Sequence, residues 1–230
     1  MEQLVFDLAS PGPPTLENFL PGRNAEALAA LARFAAADMR ETSLVLWGAP
    51  GAGKTHLLRA TVAAAVNTQT ASYFAGPNAL PVVPVDANVL LAVDAVDSAD
   101  AVAQGQLFTL YNELAASGAR LVIAAALPPA RMRLRDDLRT RLSHGLIYEI
   151  VPLADADKPA ALASYARAAG FALAEDVIAY LLAHGRRDMP SLLALLAALD
   201  RHALATKRAV TLPLLKSWLQ RAETVPNLRE

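Results

Sequence analysis

The stretch that most limits what this chain can fold into is Gly48-Ala49-Pro50-Gly51-Ala52-Gly53-Lys54-Thr55. It lies between the apolar run Leu44-Val45-Leu46-Trp47 and the helix-forming His56-Leu57-Leu58-Arg59-Ala60. A buried-strand run, a glycine-rich turn carrying G-x-x-x-x-G-K-T and then a helix form the pattern of a phosphate-binding loop in an α/β domain. Its glycines allow backbone conformations closed to other residues, so several N–H groups can converge on one anion. The helix that follows adds unpaired N–H groups and the positive end of its dipole. Lys54 is predicted to reach the β- and γ-phosphates, and the Thr55 hydroxyl to hold Mg²⁺. The predicted nucleotide-binding set is Gly48, Ala49, Pro50, Gly51, Ala52, Gly53, Lys54, Thr55 and His56.

The rest of the chain supplies the other layers. Asn24 to Met39 reads as an Ala-rich helix with Leu28, Leu31 and Phe34 at helical spacing. Strands are predicted near 43–47, 71–75, 89–94, 121–126 and 147–151. Pro77, Pro81 and Pro84 make an irregular crossover. Val89 to Val93 is a fully apolar run, as in a central strand, and it ends in Asp94. A carboxylate at the C-terminal end of such a strand sits where open parallel sheets bind ligands, which makes Asp94 the second metal-site residue. Ala101 to Ser117 reads as a helix capped by Gly118, and Arg131 to Arg141 carries five arginines that suit a solvated helical face. After Pro152 no strand run appears. Helices are predicted at about 155–169, 174–184, 190–206 and 211–222.

Composition narrows the function classes. The chain has no cysteine, which excludes disulfides and Cys-ligated zinc, and a net charge of −1, which does not suit broad nucleic-acid clamping. No run is long enough to span a membrane, and the first residues lack a basic region before an apolar one, so a cytoplasmic protein is expected. Met1 to Leu8 is followed by Ala9-Ser10-Pro11-Gly12-Pro13-Pro14, a stiff linker. From the residues alone, this leader reads as a free tail, an edge strand, or a linear peptide that docks through Gln3, Phe6 and Leu8.

Phosphate loop, second-site Asp, arginine-bearing segment and helical tail, in that order, resemble the AAA+ ATPases of the replication-initiator type. More narrowly, they resemble the DnaA-related regulators that inactivate the bacterial initiator. The resemblance rests on Gln3–Leu8, Phe19-Leu20-Pro21-Gly22-Arg23-Asn24, Leu46–Leu58, Leu110–Leu114, Leu121–Pro129 and Leu138–Leu142. Pro152-Leu153, Gly170-Phe171 and Leu199-Asp200-Arg201 also match. It implies three parts: a clamp-binding peptide and linker at 1–14, an AAA+ α/β domain with a parallel sheet at 15–152, and a small all-helical lid domain at 153–230.

In that family the N-terminal peptide binds the DNA polymerase sliding clamp (its β subunit). The matching residues here are Gln3, Leu4, Phe6 and Leu8. The resemblance further implies ADP or ATP with Mg²⁺ as ligands, DnaA as partner, DNA contact only through the clamp, and no C-terminal DNA-binding domain; it also admits a homo-oligomer. Arg141 matches the arginine finger that acts in trans on the partner's nucleotide, with Arg139 as its rival. The expected activity is stimulation of ATP hydrolysis by DnaA, which limits re-initiation. The alternatives are a self-sufficient ATPase such as a DnaC-type helicase loader, or an adaptor with a vestigial nucleotide site.

Three departures from the AAA+ pattern bear on that choice. The acidic residue that activates water after the second-site Asp is replaced by Ala95; Asp97 could take its place only if the backbone stays extended through Val96. The polar sensor expected at the end of the 121–126 strand is replaced by Ala124-Ala125-Ala126. The lid arginine aligns with Pro190, one turn after Arg186 and Arg187. Weak or absent hydrolysis by the chain alone is therefore expected.

Overall fold

The structure is a computed structural model that describes residues 13–80, 86–185 and 188–223. Gln3, Leu4, Phe6 and Leu8, Pro81 and Pro84, and Arg186 and Arg187 lie outside the described residues. The chain divides into two compact units, Pro14–Leu153 and a helical unit from Ala154 onward.

In the first unit the elements run α1 (Ala25–Ala35), β1 (Ser43–Trp47), α2 (Lys54–Ala65), β2 (Thr70–Phe74), β3 (Val89–Val93), α3 (Ala101–Ser117), β4 (Arg120–Ala125), α4 (Asp136–Leu142) and β5 (Leu146–Glu149). The five strands form one parallel sheet in the order β2-β3-β4-β1-β5. The central strands β1, β3 and β4 are largely apolar on both faces because both are covered, whereas the edge strands β2 and β5 are only partly buried. Strand alternation sends Leu44, Leu46, Leu90, Ala92, Val122 and Ala124 to a core with Leu31, Phe34, Leu57 and Leu58 of α1 and α2. It sends Val45, Leu91, Val93, Leu121 and Ile123 to a second core with Leu107, Leu114, Leu138 and Leu142 of α3 and α4.

Two expectations are corrected. Helix α1 stops at Ala35 rather than Met39: Ala37 turns left-handed at φ 59°, and the Asp38 N–H closes on the Arg33 carbonyl at 2.9 Å. Asp38 also pairs with the Arg33 side chain at 3.5 Å, so the closing residue is held by the last turn. The arginine run is not one helical face. Met132 and Leu134 are buried while Arg131, Arg133 and Arg135 are exposed, an alternation of period two ahead of the short α4.

The second unit holds α5 (Lys158–Ala168), α6 (Glu175–His184), α7 (Met189–Thr206) and α8 (Leu212–Glu223). Pro159 explains why α5 starts at Lys158 rather than near 155, since proline is tolerated only in a first turn. Pro190 likewise sits in the first turn of α7, where Asp188 caps the helix by accepting the Ser191 N–H at 2.9 Å. Leu162, Ile178, Leu181, Leu192, Leu196, Leu199, Leu214 and Leu215 form its core.

Candidate functional site

The parallel register ends β1, β3 and β4 at one edge and gathers there the loop after Trp47, Asp94 and Ala126. The loop's glycines are required by close approach. Gly48 has φ 152°, and a Cβ there would strike the carbonyl oxygen of Ile150. Gly53 has φ 101°, and a Cβ there would lie 2.7 Å from the Phe19 ring. Ala52 is buried, while Ala49, Pro50 and Gly51 form an exposed rim.

Lys54 opens α2. Its Nζ donates to the carbonyls of Gly48 at 2.6 Å and Ala49 at 2.9 Å, so the ammonium is folded over the loop. Partial burial lowers the pKa of this lysine, opposed by the charges of Asp94 and Asp97. Thr55 Oγ1 donates to Asp94 Oδ2 at 2.5 Å, which joins the two predicted metal-site residues directly. A hydroxyl has one proton; with it committed to Asp94, the Thr55 lone pairs remain available to a cation. Among the described residues no group of three or more His, Cys, Asp or Glu could hold a metal ion by itself. A cation here suits the Mg²⁺ mode, in which one or two protein oxygens act together with substrate phosphates. The glycine cradle, Lys54, Thr55 and Asp94 thus fit a nucleotide with its Mg²⁺.

His56, in the first turn of α2, is tied to the segment that precedes α1. Its Nε2 lies 3.1 Å from the Thr15 carbonyl, which can only accept, so the proton is on Nε2; its ring lies 5.6 Å from that of Phe19. Burial lowers the His56 pKa, and the bond to Thr15 opposes that shift.

The extended path that would put Asp97 in the place of the missing acid does not occur. Ala95 is left-handed at φ 49°, and Val96–Ser98 forms a tight 3-10 turn. Asp97 Oδ1 instead accepts the Ala126 N–H at 3.2 Å. Ala124 and Ala125 are buried in the sheet, and Ala126 is exposed at its edge.

Arg139 and Arg141 lie on α4 two positions apart, hence about 200° apart around the helix. Leu138 and Leu142 face the core between them. Arg139 is engaged by Asp136 at 2.7 Å. Arg141 is exposed, and its side chain makes no ion pair among the described residues.

Two residues escaped the sequence reading. Tyr73, at the end of β2, donates its hydroxyl to Asp94 Oδ2 at 3.2 Å, and Arg59 stands 4.8 Å from its ring centroid. Asn24 clamps the chain after β5: its side chain donates to the Val151 carbonyl at 2.9 Å and accepts the Val151 N–H at 2.8 Å. Nothing local marks Tyr73, because its partner lies one strand away. Asn24 stood within a matched motif but without a partner.

Residues 155–219 match the family model for Hda, lid domain. The fold is similar to domain III of the replication initiation protein DnaA from Thermotoga maritima, with a TM-score of 0.74, 22% identity, and coverage of 90% of this chain and 96% of that one. It is similar to AMPPCP-bound DnaA from Aquifex aeolicus, with a TM-score of 0.66, 21% identity, and coverage of 81% and 64%. It is also similar to a Thermotoga maritima RuvB variant, with a TM-score of 0.66, 16% identity, and coverage of 90% and 72%. The chain thus has the fold of DnaA domain III, and its C-terminal helices match the Hda lid domain.

Proposed function

We propose that this protein is a nucleotide-bound AAA+ regulator, tethered to the DNA sliding clamp, that stimulates ATP hydrolysis by DnaA and so limits re-initiation. ADP or ATP with Mg²⁺ would occupy the 48–55 loop, with Lys54 on the phosphates and Thr55 and Asp94 on the cation. That a DnaA of similar fold is bound to AMPPCP supports nucleotide binding by this chain. The resemblance favours ADP as the working ligand.

The observation that carries the reading is a complete phosphate loop beside disarmed hydrolytic positions. Ala95 has no acid, Asp97 is turned onto Ala126, and Ala124 and Ala125 are buried in the sheet. Such a site suits holding a nucleotide better than turning it over, which counts against the self-sufficient motor or helicase loader. Arg141, exposed and without an ion-pair partner among the described residues, suits a finger offered to a neighbouring molecule; Arg139 is already held by Asp136. The clamp tether rests on Gln3, Leu4, Phe6 and Leu8 in sequence.

The experiment is reconstitution. DnaA loaded with ATP should hydrolyse it faster when both clamp-loaded DNA and this protein are present, and neither alone should suffice. No acceleration in the complete mixture sinks the proposal.

A further inference from the structure

The two oxygens of the Asp94 carboxylate are held unequally. Among the described residues Oδ1 accepts one donor, the Ala95 N–H at 2.8 Å. Oδ2 accepts two, the Thr55 hydroxyl at 2.5 Å and the Tyr73 hydroxyl at 3.2 Å. Two donors fill the lone pairs of Oδ2, while Oδ1 keeps acceptor capacity in reserve. Asp94 is only 9% exposed, so these donors rather than bulk water set the rotation of its carboxylate, a torsion that is otherwise broad.

Tyr73 reaches Asp94 because of sheet register. It pairs with Ala92 of β3, and Asp94 follows two residues later, on the same face as Ala92. That face is the one covered by α2, which carries Thr55 at its start and Arg59 one turn on. Arg59 stands over the Tyr73 ring and limits where the hydroxyl can go. The Tyr73 hydroxyl is the donor of this bond, because an ionised carboxylate oxygen only accepts.

We propose that Tyr73 is a positioning residue of the nucleotide–cation site. By donating to Asp94 Oδ2 beside Thr55, it fixes the rotation of the carboxylate that, with the Thr55 hydroxyl, serves the divalent cation of a bound nucleotide. This rests on the nucleotide reading above. Outer residues that orient a metal-binding carboxylate typically change cation affinity about 10–100-fold when removed.

The test measures ADP binding to the full chain by calorimetry, once with excess Mg²⁺ and once with a chelator, for the wild type and for Tyr73→Phe. Phenylalanine keeps the ring beneath Arg59 and removes only the hydroxyl. The Mg²⁺ gain, the ratio of the two affinities, should fall about tenfold, while affinity without metal and the melting temperature of the nucleotide-free chain stay unchanged. An equal Mg²⁺ gain in both proteins overturns the proposal and leaves the nucleotide reading standing. A variant that loses affinity equally with and without metal also overturns it, because the role is then structural. A wild-type chain with no ADP affinity in either condition overturns the nucleotide reading, and the Tyr73 proposal with it.

Discussion

Asp97 accepts the backbone N–H of Ala126 at 3.2 Å, a bond that ties the turn after β3 to the end of β4. The residue that could have replaced the acid missing at Ala95 is thereby joined to the end of the strand where the AAA+ resemblance implies a polar sensor.

Slow hydrolysis follows from that bond. Ala95 carries no acid, and Asp97 Oδ1 is engaged by the Ala126 N–H, so neither position offers an unengaged carboxylate in the place of the expected acid. Removing such a group typically costs orders of magnitude in rate. In a steady-state assay the chain alone should turn over ATP slowly or not at all, and Asp97→Asn should leave that rate where it is. Turnover of several per second in the wild type, lost in Asp97→Asn, would make Asp97 the base.

Lys54→Ala removes an ammonium that already lies over the loop on the Gly48 and Ala49 carbonyls. Nucleotide affinity should fall at least tenfold, on the order of 1.4 kcal/mol or more. Equal affinities by calorimetry would remove the 48–55 loop from the site.

Arg141→Ala should keep the fold, clamp binding and the chain's own nucleotide affinity. It should abolish stimulation of DnaA, a loss of roughly 10³–10⁵ in rate if the guanidinium acts as a finger. Lysine should not rescue it, since the planar fork is gone. A dead Arg139→Ala protein beside a fully active Arg141→Ala protein transfers the role to Arg139. Full activity in both ends the finger mechanism.

Alanine at Gln3, Phe6 and Leu8 together should abolish clamp binding and leave nucleotide binding intact. Each large apolar side chain buried in a groove contributes about 1.5–3 kcal/mol before ordering costs. Surface plasmon resonance on immobilised clamp measures it; binding that survives the triple change moves the contact elsewhere.

His56 gives a pH dependence of stability. Its pKa is lowered in the folded chain, chiefly by burial, so the unfolded chain binds the proton more readily. The His56 contribution is complete above the ordinary imidazole value of 6.5 and is lost as pH falls through the lower folded pKa. His56→Gln should therefore flatten the acid side of a melting-temperature profile below that value. An unchanged slope would show that other groups govern it.

Sequence alone determined the local framework. The Gly48–Thr55 loop, its strand and its helix were readable because the phosphate motif and the hydrophobic periodicity are short-range. The same holds for β3 with its terminal Asp94, the helix closed by Gly118, and the four C-terminal helices. What depended on distant pairing was not readable. The join of Thr55 to Asp94 needs α2 packed against β3, and Tyr73 reaches Asp94 only through the β2–β3 register. The direction of Asp97 turned on a left-handed Ala95, a conformation that alanine seldom adopts and no composition rule assigns. Arg139 and Arg141 are alike in sequence, and only the buried line of Leu138 and Leu142 puts them on opposite flanks of α4. A chain writes its periodicities locally, but hydrogen-bond partners across a sheet are chosen by how the strands are ordered and aligned, which only the folded structure decides.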